Sequence, residues 1–202
     1  MQQMHIRYLP RTRASVGTPM RGFTAIELMV VVAIMAVLAA LAAPSFTPLM
    51  EGWRVRQATE ALQSTIFYAR SEAIKRGGNV TILRSGDGGG CTAVGTDTSL
   101  WSCGWIVFAD LNSNGAQDNN EDTLQTAPAP NKVSVQFTNT SDAKLTDPIK
   151  VDRWGRFSST NAAIDFAFRL TPKNGSAANA SSICINSSGR IKRLESATGS
   201  CS

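Results

Sequence analysis

Residues 23–43 form a run of 21 in which Glu27 is the only ionisable side chain. At about 1.5 Å rise per residue a helix of that length spans roughly 31 Å, about the thickness of a bilayer core. The run therefore predicts a membrane-spanning helix. A carboxylate at such depth costs a few kcal/mol unless it is paired, which marks Glu27 as a candidate functional residue whose partner should be a cation. The run itself supplies none, and the single histidine, His5, lies ahead of it.

Arg7, Arg11, Arg13 and Arg21 make the stretch before Gly22 basic. A secretory signal peptide cleaved near Ala40-Leu41-Ala42 has the same outline, and it would release a soluble calcium- or ligand-binding β-domain. The apolar run is long for that role, and a signal peptide gains nothing from Glu27.

Gly22-Phe23-Thr24-Ala25-Ile26-Glu27-Leu28 resembles the class III signal of type IV pilins and type II secretion pseudopilins. The resemblance implies that a prepilin peptidase cuts between Gly22 and Phe23 and N-methylates the new terminus. It also implies that Glu27 pairs with a neighbouring subunit's terminal amine during filament assembly, which is the cation the run lacks. The implied partners are other pilins or pseudopilins, the peptidase and an inner-membrane assembly platform. The implied location is a single pass of the inner membrane with a periplasmic β-domain, followed by a pilus or pseudopilus.

Removing 22 of the 202 residues leaves 180, enough for an anchor and one globular domain. The leader takes four of the 20 Lys and Arg and none of the 15 acids, so the mature charge is +1. Global basicity is thus mostly a targeting feature, and a nucleic-acid reading must rest on a local cluster. The four cysteines, at 91, 103, 184 and 201, allow three pairings. The sequential one, Cys91 with Cys103 and Cys184 with Cys201, closes two short loops and suits an exported chain. Zinc is the alternative, but neither pair has Cys-x-x-Cys spacing.

Beyond the run, Pro44 should end or kink the helix. Phe46, Leu49, Trp53, Ala58, Ala61, Leu62, Thr65, Ile66, Ala69 and Ala73 then recur at helical spacing. This amphipathic continuation should stop at Arg76-Gly77-Gly78, where glycine takes a left-handed cap. After Gly78, β-type runs begin at Val80, Trp105, Val133, Ile164 and Ile183, separated by Gly, Asn, Ser and Pro clusters. Asp152-Arg153-Trp154-Gly155-Arg156-Phe157 reads as a turn between short strands. The predicted fold is α+β, one long N-terminal helix packed on an antiparallel sheet. Its parts are a leader at 1–22, a membrane helix at 23–43, an amphipathic helix at 44–78 and a β-rich domain at 79–202. No internal repeat is evident, and the Gly86-Asp87-Gly88-Gly89-Gly90 loop lacks the ending of a phosphate cradle.

Asp110-Leu111-Asn112-Ser113-Asn114-Gly115, with Glu121 six residues on, matches a calcium-loop pattern. Asp110, Asn112, Asn114, Asp118 and Glu121 would supply side-chain oxygens. Such clusters are equally ordinary turn chemistry, and calcium remains one of two readings. Near the C-terminus, Gly189, Arg190, Lys192 and Arg193 follow a turn inside the loop that Cys184 and Cys201 would close. Strand alternation puts Arg190 and Lys192 on one face and Arg193 on the other. Three phosphate contacts would give a log-log salt slope of roughly −2.7. The plain alternative is a basic edge strand that discourages edge-to-edge pairing.

Ala69-Arg70-Ser71-Glu72-Ala73-Ile74-Lys75-Arg76, Gly104-Trp105-Ile106-Val107-Phe108 and Ser188-Gly189-Arg190 resemble the GspH/FimT family of minor pilins and pseudopilins. FimT-type members carry a Gly-Arg-x-Arg motif linked to DNA capture, so the resemblance implies DNA as a partner. Here the motif reads Gly189-Arg190-Ile191-Lys192, and lysine keeps the charge but loses the bidentate fork. The type IV pilus reading places the chain in pilus assembly and DNA uptake, and the type II secretion reading in protein export. Enzymatic readings fail on residue types, since a mature chain without histidine has no Ser/His or Cys/His pair.

Overall fold

The computed structural model describes residues 22–42, 46–86, 97, 99–139, 144–145, 148–159, 162–163, 165–173, 177–195 and 201. It divides into two units, Met1–Ala43 and Pro44–Ser202.

In the first unit, helix α1 covers Ala25–Ala42. Thr24 caps it: its side-chain oxygen accepts the Glu27 N–H at 3.3 Å, while its carbonyl accepts the Leu28 N–H. Thr24-Ala25-Ile26-Glu27 has the spacing of a capping box, which places Glu27 in the first turn where the helix dipole favours a negative charge. The described side chains of α1 are exposed all round. No single described helix is long and apolar enough to cross a membrane, although α1 and the start of the next helix together meet the length and composition required. Pro44, the expected breaker, lies outside the described residues.

In the second unit, helix α2 covers Phe46–Arg76. Pro48 is tolerated in its first turn, where the missing N–H would have no helical partner. Val55, Ala58, Thr59, Leu62, Thr65, Ile66, Ala69 and Ala73 form its buried stripe, and large side chains such as Leu62 and Ile66 contribute about 1.5–3 kcal/mol each. The predicted stripe began earlier, but Phe46, Leu49 and Trp53 are 57%, 67% and 58% exposed. Spacing reports amphipathicity, not the presence of a partner. The helix ends as expected: Gly77 and Gly78 have φ of 79° and 108°, and the Gly78 N–H reaches the Ala73 carbonyl at 2.7 Å, the six-to-one bond of a Schellman cap.

The strands are β1 (Val80–Arg84), β2 (Trp105–Ala109), β3 (Thr123–Ala127), β4 (Val133–Asn139), β5 (Ile149–Val151), β6 (Phe157–Ser159), β7 (Ala162–Ala163), β8 (Phe166–Pro172), β9 (Ser181–Ile185) and β10 (Ile191–Leu194). They form two antiparallel sheets where one was expected, in the orders β3-β2-β1-β5-β6-β7 and β10-β9-β8-β4. Helix α2 packs against both. Trp105 on β2 donates its indole N–H to the buried Thr65 hydroxyl at 3.0 Å, and the Tyr68 hydroxyl reaches the Leu124 carbonyl on β3. Against the second sheet, Trp101, Phe137, Phe166 and Phe168 make edge and stacked contacts. Among the described residues, the buried core lies wholly in Pro44–Ser202, so this unit carries its own means of folding.

Candidate functional site

Two ends of the chain carry candidate chemistry. In the first unit, Gly22 and Phe23 precede α1 in exposed, non-helical backbone. No described cation pairs with the exposed Glu27.

At the C-terminal end of α2, two turns meet. In the turn 152–156, the Asp152 Oδ1 accepts the Trp154 and Arg156 N–H groups at 2.9 Å each. The Asp152 N–H reaches the Arg156 carbonyl, and the Gly155 N–H the Asp152 carbonyl. In the turn 186–190 the same pattern recurs. Asn186 Oδ1 accepts the Arg190 N–H at 2.7 Å, the Asn186 N–H reaches the Arg190 carbonyl, and the Gly189 N–H the Asn186 carbonyl. Both read Asx-x-x-Gly-Arg, with the glycines at φ 73° and 83°. This five-residue repeat runs from Asp152 to Arg156 and from Asn186 to Arg190 in the sequence, too short to stand out as an internal repeat.

The turns touch at their glycines. A Cβ on Gly189 would lie 2.9 Å from the Gly155 carbonyl oxygen, and one on Gly155 would lie 2.7 Å from Arg70 Nε. Arg70, half-buried on α2, donates from Nη1 to the Gly189 carbonyl at 2.9 Å. A helix residue thus fixes the spacing of two loops distant from it in sequence. Gly189, predicted as part of a DNA motif, has a steric reason to be glycine.

Trp154 projects from this assembly, 62% exposed, with the Arg153 and Arg156 guanidiniums each 4.9 Å from its ring centroid, a cation–π arrangement. Arg156 Nε also donates to Asp152 Oδ2 at 2.8 Å. Burial alone would raise the Asp152 carboxyl, but hydrogen bonds from the Arg156 backbone and side chain and the Trp154 N–H hold it below its usual range.

The predicted basic cluster is split. Arg190 and Lys192 are exposed and share a small concavity of about 110 Å³ with Cys184, Asn186 and Cys201. Neither has an ion pair among the described residues. Arg193 turns the other way, towards α2, where Nη1 lies 3.7 Å from Glu60 Oε1. Cys184 and Cys201 are bonded, with Cα atoms 5.4 Å apart. Cys103 is also disulfide-bonded, while Cys91 lies outside the described residues.

The loop matching the calcium pattern turns its oxygens onto its own donors. Asp110 Oδ2 accepts from the Thr81 hydroxyl and the Gly115 N–H. Asn112 and Asn114 Oδ1 accept the N–H groups of Asn114 and Ala116. Asp118 Oδ2 accepts from both asparagine amides, and Glu121 accepts the Leu111 and Asp118 N–H groups. Asp110 Oδ1 is buried without a partner, but one orphan atom is not a ligand set. Among the described residues no three His, Cys, Asp or Glu side chains converge as a metal site. The loop's oxygens thus hold the turn itself.

Comparison with known proteins adds two family matches. Residues 58–189 match the model of the type II transport protein GspH, and residues 19–43 match the prokaryotic N-terminal methylation motif. No curated protein matches the chain. The fold is similar to that of the type IV minor pilin FimU of Pseudomonas aeruginosa strain PAO1 in two crystal forms. One matches with TM-score 0.52 and 18% identity, covering 73% of this chain and 100% of that one. The other matches with TM-score 0.51 and 16% identity, covering 71% and 94%.

Proposed function

The chain belongs to the family of the type II transport protein GspH, and we propose that it is a minor pilin of a type IV pilus, a reading supported by the fold it shares with the minor pilin FimU. Prepilin peptidase cuts it between Gly22 and Phe23 and methylates Phe23. Residues 23–43 then hold it in the inner membrane, with the unit that follows on the periplasmic side. Assembly transfers the apolar helix from lipid to the filament, where Glu27 pairs with the terminal amine of a neighbouring subunit.

The observation that carries this reading is the first unit itself: an apolar helix exposed on every side, bearing one first-turn carboxylate with no described cation. Such a surface requires lipid or other helices around it, and the methylation-motif match falls on the same residues. Exposed Phe46, Leu49 and Trp53 add apolar surface for neighbours. DNA contact is assigned to Arg190 and Lys192 beside Gly189, with Arg193 left to α2. The role is structural, and no catalytic residue is assigned.

The description of the family model favours a second reading, a minor pseudopilin of type II secretion. Disrupting the gene and measuring twitching, transformation and exoprotein release separates the two. Loss of twitching or transformation with normal release supports the pilus, and loss of release alone moves the chain to secretion.

A further inference from the structure

We infer that the paired Asx-x-x-Gly-Arg turns form one binding surface for single-stranded nucleic acid, with Trp154 as the platform on which a base stacks. The inference rests on the proposed DNA contact and deepens it, because it adds a recognition element outside the Arg190 and Lys192 segment and names the form of nucleic acid preferred.

Three observations carry it. First, Trp154 is a large ring held in solvent at 62% exposure, although an apolar side chain of that size ordinarily gains from burial. Its backbone N–H is fixed by Asp152 and its ring is attended by Arg153 and Arg156, so little freedom remains to be lost on binding. Second, the surface is cationic: Arg70, Arg153, Arg156, Arg190 and Lys192 outnumber Asp152 and Asp165, the latter accepting the Ser187 N–H. Third, the two turns are in contact. Gly155 and Gly189 pack against each other over Arg70, and Trp154 and Arg190 each lie one Cα step of about 3.8 Å from those glycines. Base platform and phosphate contacts therefore fall within the reach of adjacent nucleotides.

An aromatic face beside cations is the arrangement by which proteins hold unpaired strands without reading sequence. In a duplex the bases are already stacked on each other, so the same ring contributes little. Phosphate contacts by Arg190 and Lys192 serve both forms. Discrimination between single and double strands is thus assigned to Trp154, and overall affinity to the cations.

The test uses the self-contained unit Pro44–Ser202 and fluorescence anisotropy at low salt, with a labelled oligothymidylate and a duplex of equal length as probes. Trp154→Ala should weaken oligothymidylate binding roughly tenfold or more and change duplex binding less than about threefold. Trp154→Phe, which keeps a ring, should retain most of the affinity. Arg190→Ala with Lys192→Ala should weaken both probes and lower the single-strand salt slope by about 1.4. Unchanged oligothymidylate affinity in Trp154→Ala, with loss in the double cation variant, overturns the platform and leaves the DNA contact standing. Absence of wild-type binding to either probe overturns both. Trp154 is exposed, so circular dichroism of the variant should match wild type, and if Trp154→Ala misfolds, Trp154→Leu, apolar but without a ring, decides by the same loss of oligothymidylate binding.

Discussion

Replacing Gly189 by alanine separates the steric role of this residue from the DNA role assigned to its segment. Two costs apply. At φ 83° an L side chain loses about 1–2 kcal/mol to the left-handed backbone. Its Cβ also meets the Gly155 carbonyl oxygen at 2.9 Å, a backbone atom set in a turn closed by the Gly155 and Asp152 N–H bonds, and overpacking of that kind costs about 1–3 kcal/mol more. Gly77 supplies the control, because its φ is 79° and an added Cβ there meets nothing within 4 Å. Gly77→Ala should therefore show the backbone cost alone. In a unit of this size 1 kcal/mol corresponds to about 2–4 °C in Tm. Thermal unfolding of Pro44–Ser202 by circular dichroism should place Gly189→Ala about 2–12 °C below Gly77→Ala. Equal Tm values for the two variants would refute the packing of the twin turns.

Thr65→Val keeps the shape of a buried side chain but leaves the Trp105 indole N–H unpaired, and should cost about 1–3 kcal/mol in urea unfolding. Arg193→Ala should leave DNA retardation within about twofold of wild type, since the side chain faces Glu60, whereas Arg190→Ala should weaken it and reduce the duplex salt slope by about 0.9. Removing the Cys184–Cys201 bond, which spans 17 residues, by serine substitution should cost about 3 kcal/mol through the unfolded chain. The Lys144 ammonium, with help from Ser99, lowers the Asp97 carboxyl to about 2 from 3.8. The folded value is the depressed one, so this pair's contribution is present above pH 3.8 and disappears as pH falls towards 2. Both side chains are partly exposed, which keeps the effect small, and Asp97→Asn should flatten the acid limb of a stability profile.

What the sequence made legible was local. Helical spacing from Ala58 to Ala73 and the glycines at 77 and 78 located α2 and its cap, because periodicity and backbone permissiveness act within a few residues. The strands at Val80, Trp105, Val133 and Ile183 were readable from β-branched and aromatic runs. β3 was not, since Thr123–Ala127 is partly exposed and mostly polar, and β7 is too short to show a period, whereas β5 and β6 were read only as the short strands on either side of the turn from Asp152 to Phe157. The division into two sheets depends on pairings between distant residues, such as Val80 with Val151, and no local signal encodes it. The same holds at the candidate site. Gly22, Phe23 and Glu27 form a contiguous motif, but Arg70 joins the twin turns across 119 residues. Alternation placed Arg193 opposite Arg190, yet only its approach to Glu60 on α2 shows that its face is the helix side. The spacing from Asp110 to Glu121 suits calcium and an ordinary turn alike, because an Asx-rich loop that bonds its own N–H groups uses the same residue types as one that coordinates a metal.

Every other role proposed for this chain depends on processing at Gly22 and on assembly through the terminus this creates. Mass spectrometry of the N-terminal peptide from protein purified out of membranes or sheared filaments tests it most directly. The expected product is a mature chain starting at N-methylated Phe23 with Glu27 intact four residues on. A mature start near Ala43, or an uncleaved leader in assembled protein, would contradict it.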